Sequence, residues 1–230
     1  MTNNILHIIY IRLNYNDSNN LKNRLKLFEK YCLPSLISQT NKNFKIYINI
    51  NFEHYDLIYN YVKLIDNIIL TNDDIEFISN CERNEKYLIT TRIDSDDIIN
   101  VNLIDNIQKF INNKYIQKNM DLFNKSIILN YSMGLQLDTN NINHNLYKRI
   151  YYIPNPFLSI ITKKNFHCRR YHHHIFHNDR KNFIFINLKN KIPMWIQVIH
   201  CNNISNKINF NNQNINISND NLKKLFNIIL

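Results

Sequence analysis

The stretch at residues 87–97, reading Tyr-Leu-Ile-Thr-Thr-Arg-Ile-Asp-Ser-Asp-Asp, constrains this chain more than any other. An apolar, β-branched run of this length fits a buried strand. It stops abruptly in three carboxylates within four residues, as a strand does when it delivers acidic side chains to the edge of a sheet. Carboxylates this close repel one another, and Arg92 is the one cation inside the stretch. A hard divalent ion such as Mg2+ or Mn2+ is a natural counterion, because such ions are held by one or two protein carboxylates together with substrate phosphates. The local pattern equally allows a solvated Asp-rich turn before the next helix, with Asp97 or Asn100 as its N-cap.

The flanking segments alternate between strand and helix. Residues 6–11 form a short apolar strand ending at Arg12 and Asn14, and residues 14–20 supply turn residues and N-caps. Leu21, Leu25, Phe28, Cys32 and Leu36 then fall on one helical face, with Pro34 expected to kink or divide the helix before Gln39. Residues 44–50 read as a second strand with Asn51 to Glu53 at its end, 56–65 as a helix, 67–70 as a short strand, and 72–85 as a mixed loop. Residues 87–93 carry the acidic tip, and Val101, Ile104, Ile107, Phe110 and Ile111 mark an amphipathic helix after it. Such alternation predicts an α/β fold with a mixed, mostly parallel sheet flanked by helices. Ligands of these sheets bind beyond the carboxyl ends of the strands. Arg12 and Asn14, Asn51 and Glu53, and Asp94 to Asp97 are therefore expected along one edge.

At 230 residues the chain suits a single domain, since no long Pro/Gly/Ser linker interrupts it. Residues 1–130 are expected to form the ligand-binding half, 131–206 the second half, and 207–230 an Asn-rich tail with a terminal helix. There is no alanine, one glycine and 45 asparagines, preferences that follow A+T-rich codons. The net charge of +10 would ordinarily suggest an anionic partner, but the basic residues are scattered. The patch at residues 22–30 is read as a solvated helix face, and no nucleic-acid partner is expected. No segment reaches the roughly 18 apolar residues of a membrane span and no signal peptide is visible, so a cytoplasmic chain without a transmembrane segment is expected. The cysteines lack Cys-X-X-Cys spacing and are read as reduced thiols.

Residues 28–36 through Gln39, Thr40 and Phe44 resemble the first helix of the rhamnosyltransferase family, a branch of the GT-A glycosyltransferases. The likeness recurs at Thr91-Arg92-Ile93-Asp94-Ser95-Asp96-Asp97, at Asn155-Pro156-Phe157-Leu158-Ser159, and at residues 195–200 continuing to 203–206. The resemblance implies a GT-A fold and a nucleotide-sugar donor, UDP- or dTDP-linked. It also implies a glycan or other hydroxyl acceptor and a Mn2+ or Mg2+ ion held through the acidic motif. By that likeness Asp94 faces the ribose or the metal shell, while Asp96 and Asp97 bind the ion bridging the two phosphates. Arg12 and Arg92 are expected as further cations near the diphosphate, with Asn14 and Asn51 beside the donor.

The second half is less legible. Residues 126–129 read as a strand leading to Gly134, which is expected in a tight turn near the sugar site. Residues 155–159 are expected as a rigid loop on the acceptor side. His167, His172, His173, His174 and His177 cluster without a Glu or Cys-X-X-Cys partner, which fits a basic acceptor loop better than a zinc site. His200 ends the strand-like run 194–199 and is expected as a metal or diphosphate ligand. Family members carry a glycine after that histidine, where this chain has Cys201. The acceptor base is assigned to Asp179 or His174, with Asp138 and His177 as substitutes. The family can also carry an acid shortly after the Asn-Pro-Phe-Leu-Ser block, where Thr162 stands here. Two other readings stay open: a catalytically weakened relative that binds carbohydrate or serves as a scaffold, and a basic nucleic-acid-binding protein.

Overall fold

The computed structural model describes residues 4–13, 17–72, 85–140, 144–151, 155–163, 168, 181–201, 208 and 214–229. The four apolar runs of the first half become parallel strands: β1 (Ile5–Leu13), β2 (Lys45–Ile50), β3 (Ile68–Thr71) and β4 (Tyr87–Asp94). Two later strands, β6 (Ser126–Tyr131) and β10 (Phe183–Leu188), pair in parallel with each other. A short strand, β9 (Ser159–Thr162), is inserted antiparallel between β4 and β6. The resulting seven-stranded sheet has the order β10-β6-β9-β4-β1-β2-β3, a mixed and mostly parallel sheet as the sequence predicts. The chain moves outward from β1 to β2 and β3, then returns to the other side of β1 as β4. Strand order therefore reverses between β1 and β4.

Alternation along the strands assigns the two faces. Ile9, Ile11 and Leu13, with Ile46, Ile48 and Ile50 beside them, join the main core together with Leu21, Leu25, Phe28, Cys32 and Leu36 of the helical layer. That layer is one helical path in three pieces: α1 (Ser18–Leu27), a π-helical turn at Phe28–Cys32, and α2 (Leu33–Ile37). Pro34 accounts for the wide turn. It has no N–H to give to Lys30 one turn back and its ring crowds that carbonyl. The turn opens so that the Leu33 N–H reaches the Phe28 carbonyl, five residues back. Further helices are α3 (Tyr55–Val62), α4 (Leu103–Ile111) and α5 (Lys114–Phe123); α5 carries no signal that the sequence reading used.

A second, four-stranded sheet stands beside the first in the order β5-β11-β7-β8. Its strands are β5 (Ile98–Ile99), β7 (Met133–Asp138), β8 (Leu146–Ile150) and β11 (Trp195–Ile199). Ser132 alone separates β6 from β7, so one chain segment passes directly from the large sheet to the small one. Its hydroxyl donates to the Leu188 carbonyl at 3.0 Å. The terminal helix α6 (Asn219–Phe226) covers the small sheet, burying Leu222 and Phe226 against Leu135, Leu137, Ile196 and Val198. Ser218 caps it and Asn227, at φ 56°, ends it.

Gly134 corrects one expectation. It lies inside β7, and its φ is not positive. A Cβ placed there would stand 2.1 Å from Cδ2 of Trp195. The glycine is needed because the indole lies flat against the backbone of β7, not because the chain turns. Phe157 stacks on the same indole with ring centroids 4.8 Å apart, and the Trp195 Nε1–H donates to the Tyr131 carbonyl at 2.8 Å. The Asn-Pro-Phe block thus contributes to the core. Asn155 is fully buried, accepting from the Phe157 N–H and donating to the Tyr131 carbonyl. Among the described residues, no helix is long and apolar enough to cross a membrane.

Candidate functional site at the carboxyl edge of the sheet

The register brings Arg12 directly abreast of Asp94 on one side and Asn49 on the other. These residues alternate with Ile11, Leu13, Ile93, Ile48 and Ile50, which face the helices, so Arg12, Asn49 and Asp94 share the opposite face. Asp94 is half-buried and ion-paired to Arg92 at 3.1 Å. Asn49 is buried, and among the described residues its Oδ1 has no hydrogen-bond partner. Asn51 turns back on its own backbone: its Oδ1 accepts from the Glu53 N–H at 3.2 Å and caps a short helical turn at Phe52–His54. Asn14 lies outside the described residues.

After β4 the chain makes a tight turn, closed by the Asp97 N–H donating to the Asp94 carbonyl at 3.0 Å. It then drops into the small sheet as β5, antiparallel to β11. This turn sends Asp96 and Asp97 to different partners. Asp97 is fully buried and hooks the neighbouring strand, its Oδ1 accepting from the Val198 N–H at 2.9 Å. Its Oδ2 is buried and has no hydrogen-bond partner among the described residues. Burial, reinforced by the charges of Asp96 and Asp94, pushes its carboxyl well above the usual range.

Asp96 meets a guanidinium and an imidazole. Its Oδ2 lies 2.5 Å from Nη1 of Arg24 and 2.8 Å from Nε2 of His200, and those two nitrogens are 3.3 Å apart. Burial pushes its carboxyl up, but the hydrogen bond from His200 and the charge of Arg24 outweigh it, and the net shift is downward. Asp96 is therefore an ionised carboxylate in a nearly closed setting. His200 reaches it because β11 ends at Ile199, beside the turn, and Arg24 reaches it from the second turn of α1.

Arg24 escaped the sequence reading, which placed it in a solvated basic patch. Its side chain is only 13% exposed. The available signal was its position: it directly precedes the buried Leu25 on the helix that follows β1, where a polar side chain can bend back over the strand ends.

The ligand types expected for Mn2+ or Mg2+ are met in part. Asp96 and His200 offer a carboxylate oxygen and an imidazole nitrogen within the reach of one ion, and the orphan Oδ2 of Asp97 lies in the adjacent residue. Among the described residues no three His, Cys, Asp or Glu side chains converge as a metal site. A divalent ion here would complete its shell with phosphate oxygens and water.

Asp179, His174 and the rest of the histidine cluster lie outside the described residues. Asp138 ends β7 next to Ile199 in register and accepts from the Asn140 N–H at 3.0 Å. Thr162 is the last residue of β9. It pairs with Leu88 in register, near the amino end of β4 and six residues before Asp94, about 20 Å along a strand, and it accepts from the Ser126 hydroxyl.

Residues 11–56, running from the end of β1 through α1, α2 and β2 into α3, match the family model described as "Putative rhamnosyl transferase". A search of curated proteins finds no match. Among solved structures, the chain is similar to residues 1–349 of TarS from S. aureus. Identity is 12% and the TM-score 0.48, with 84% of this chain and 60% of that one covered. A synthase of 4-diphosphocytidyl-2C-methyl-D-erythritol from Anaerococcus prevotii aligns at 12% identity and a TM-score of 0.34, covering 70% of this chain and 72% of that one. The chain thus spans less than two thirds of the TarS structure.

Proposed function

We propose that this protein transfers a sugar from a nucleoside-diphosphate donor to a hydroxyl of a glycan or other acceptor. One observation carries the reading. Arg12 and Asp94 stand side by side on β1 and β4, where the strand order reverses, and α/β sheets bind nucleotides in the crevice opened at that point. Asp94 would take the ribose hydroxyls, Arg12 the nucleotide phosphates, and the Asp96, His200 and Arg24 group would receive the diphosphate. In the reaction the bond between the anomeric carbon and the diphosphate oxygen breaks as the acceptor oxygen bonds to that carbon. Cationic groups fixed at the leaving diphosphate lower the barrier because negative charge grows there. A Mn2+ or Mg2+ ion on Asp96 and His200, with Asp97 adjoining, would add to that neutralisation. The acceptor proton goes to Asp179 or His174 in this reading. Rhamnose is suggested by the family description alone.

Thermal unfolding with UDP, dTDP and their sugars, with and without Mn2+, tests the reading. A ligand present at about a hundredfold its dissociation constant stabilises the folded state by about 2.7 kcal/mol. The expected result is a raised midpoint for one nucleotide, lost in Asp94→Asn and Arg12→Gln. No shift with any nucleoside diphosphate, with or without the metal, overturns the proposal.

A further inference from the structure

Asp96 and His200 are the two groups that would hold a divalent ion, and in this structure both face the same cation, Nη1 of Arg24. That nitrogen lies 2.5 Å from the Asp96 Oδ2 and 3.3 Å from the His200 Nε2. The two atoms are themselves hydrogen-bonded at 2.8 Å, so a metal ion taking both must displace that contact and, with Nη1 of Arg24 against each atom, competes with the guanidinium for them. The contact is also well shielded, with the side chains of Arg24, Asp96 and His200 only 13%, 7% and 8% exposed. In such a setting an ion pair loses little to screening, and removing one partner leaves a costly buried charge.

We propose that Arg24 is a resident cation of the diphosphate seat, which makes a divalent metal and a nucleoside diphosphate bind together and not singly. The inference rests on the donor reading given above. A metal ion arriving alone must break the Arg24 pair with Asp96 and leave a guanidinium beside a dication. A metal arriving with a diphosphate gives Arg24 a new partner, because the planar guanidinium fork matches phosphate oxygens and the α1 side chain already lies at the seat. Each ligand therefore favours the other, and by linkage the enhancement is equal in both directions. Arg24 acts as a positioning and phosphate-binding group that the acidic motif alone does not reveal.

Calorimetric titration of the full chain with Mn2+ alone, with UDP or dTDP alone, and with the nucleotide at saturating Mn2+ tests this. In the wild type, Mn2+ alone should bind weakly, and the nucleotide should tighten with Mn2+ by a factor in the usual range of about 5 to 150. Arg24→Gln should bind Mn2+ alone more tightly than the wild type, bind the nucleotide more weakly, and lose most of the enhancement. Arg24→Lys keeps the charge without the fork. It should retain weak binding of Mn2+ alone but lose nucleotide affinity, and it decides the matter if Arg24→Gln does not fold. If a nucleotide binds but Mn2+ alone binds Arg24→Gln no more tightly than the wild type, the inference falls and the donor reading survives. If neither nucleotide binds under any condition, both fall.

Discussion

Adding one methyl group to Gly134 isolates a single contact. An alanine Cβ would lie 2.1 Å from the Trp195 ring, and the indole cannot retreat because Phe157 stacks on it and Tyr151 packs at 5.5 Å. Gly134→Ala should cost about 1–3 kcal/mol or more through overpacking, lowering the melting midpoint by about 2–4 °C per kcal/mol for a chain of this size. Trp195 is the only tryptophan, so the shift and any loosening of the indole are read directly in its fluorescence. An unchanged midpoint and spectrum would remove the packing explanation. Asp96 and Asp97 show the same limit of sequence from the other side. Two adjacent acids read alike, yet one becomes an ionised partner of Arg24 and the other a buried hook for the Val198 N–H. Their different partners come from residues over seventy positions away, which no local pattern specifies.

A buried polar chain ties three strands to a helix. His7 of β1 lies 2.9 Å from the Thr91 hydroxyl of β4, which lies 2.7 Å from the Ser159 hydroxyl of β9. Nδ1 of His7 faces the Gln108 amide of α4 at 3.4 Å. An amide NH2 only donates, so Nδ1 accepts and the proton sits on Nε2. A second proton would point at that amide. Burial accordingly lowers the His7 pKa to about 3. The unfolded chain, with an ordinary histidine near 6.5, then binds the extra proton first. Stability contributed by neutral His7 is complete above pH 6.5 and is lost progressively as the pH falls towards 3, at up to about 1.4 kcal/mol per unit. Denaturant titrations between pH 7 and 4 should show this slope, and His7→Gln should flatten it; parallel slopes in the two proteins would exclude the histidine as the source. The elements themselves were legible where period and length agree: β1, β2, β4, β11 and α4 follow their apolar patterns closely, and Pro34 announced the break between α1 and α2. The strands β8, β9 and β10 were not separated out, because short runs in an Ile- and Asn-rich chain carry little period, and their pairing depends on partners far away in sequence.

At the scale of the molecule, the site belongs to both sheets. The large sheet supplies Arg12 and Asp94, the turn out of it supplies Asp96, and the small sheet supplies His200. The small sheet in turn depends on α6, which buries Leu222 and Phe226 and accepts from the Val101 N–H through its Leu225 carbonyl. Leu222→Ala should cost about 2–5 kcal/mol, a large share of the 5–15 kcal/mol typical of a whole domain, and should weaken nucleotide binding without touching the site. Urea unfolding and the thermal-shift panel together check this; full stability and unchanged binding would mean that α6 is not what holds β11 in place. From sequence, Arg12 and Asp94 to Asp97 are expected along one edge, and the register sets Arg12 beside Asp94; Arg24, which meets both Asp96 and His200, is read as part of a solvated helix face.

The direct passage from β6 through Ser132 to β7, with β11 added much later in the chain, has a consequence for how the protein is made. Arg24 and Asp96 are separated by 72 residues, Asp96 and His200 by 104, and Arg24 and His200 by 176. Contacts spanning such distances form late in folding, after the loops between them have closed. During synthesis the two acids and Arg24 leave the ribosome long before His200 does. A chain interrupted before residue 195 lacks the histidine, the strand that Asp97 hooks and the Trp195 indole of the main core. Completion of the small sheet is therefore the event that brings His200 to Asp96.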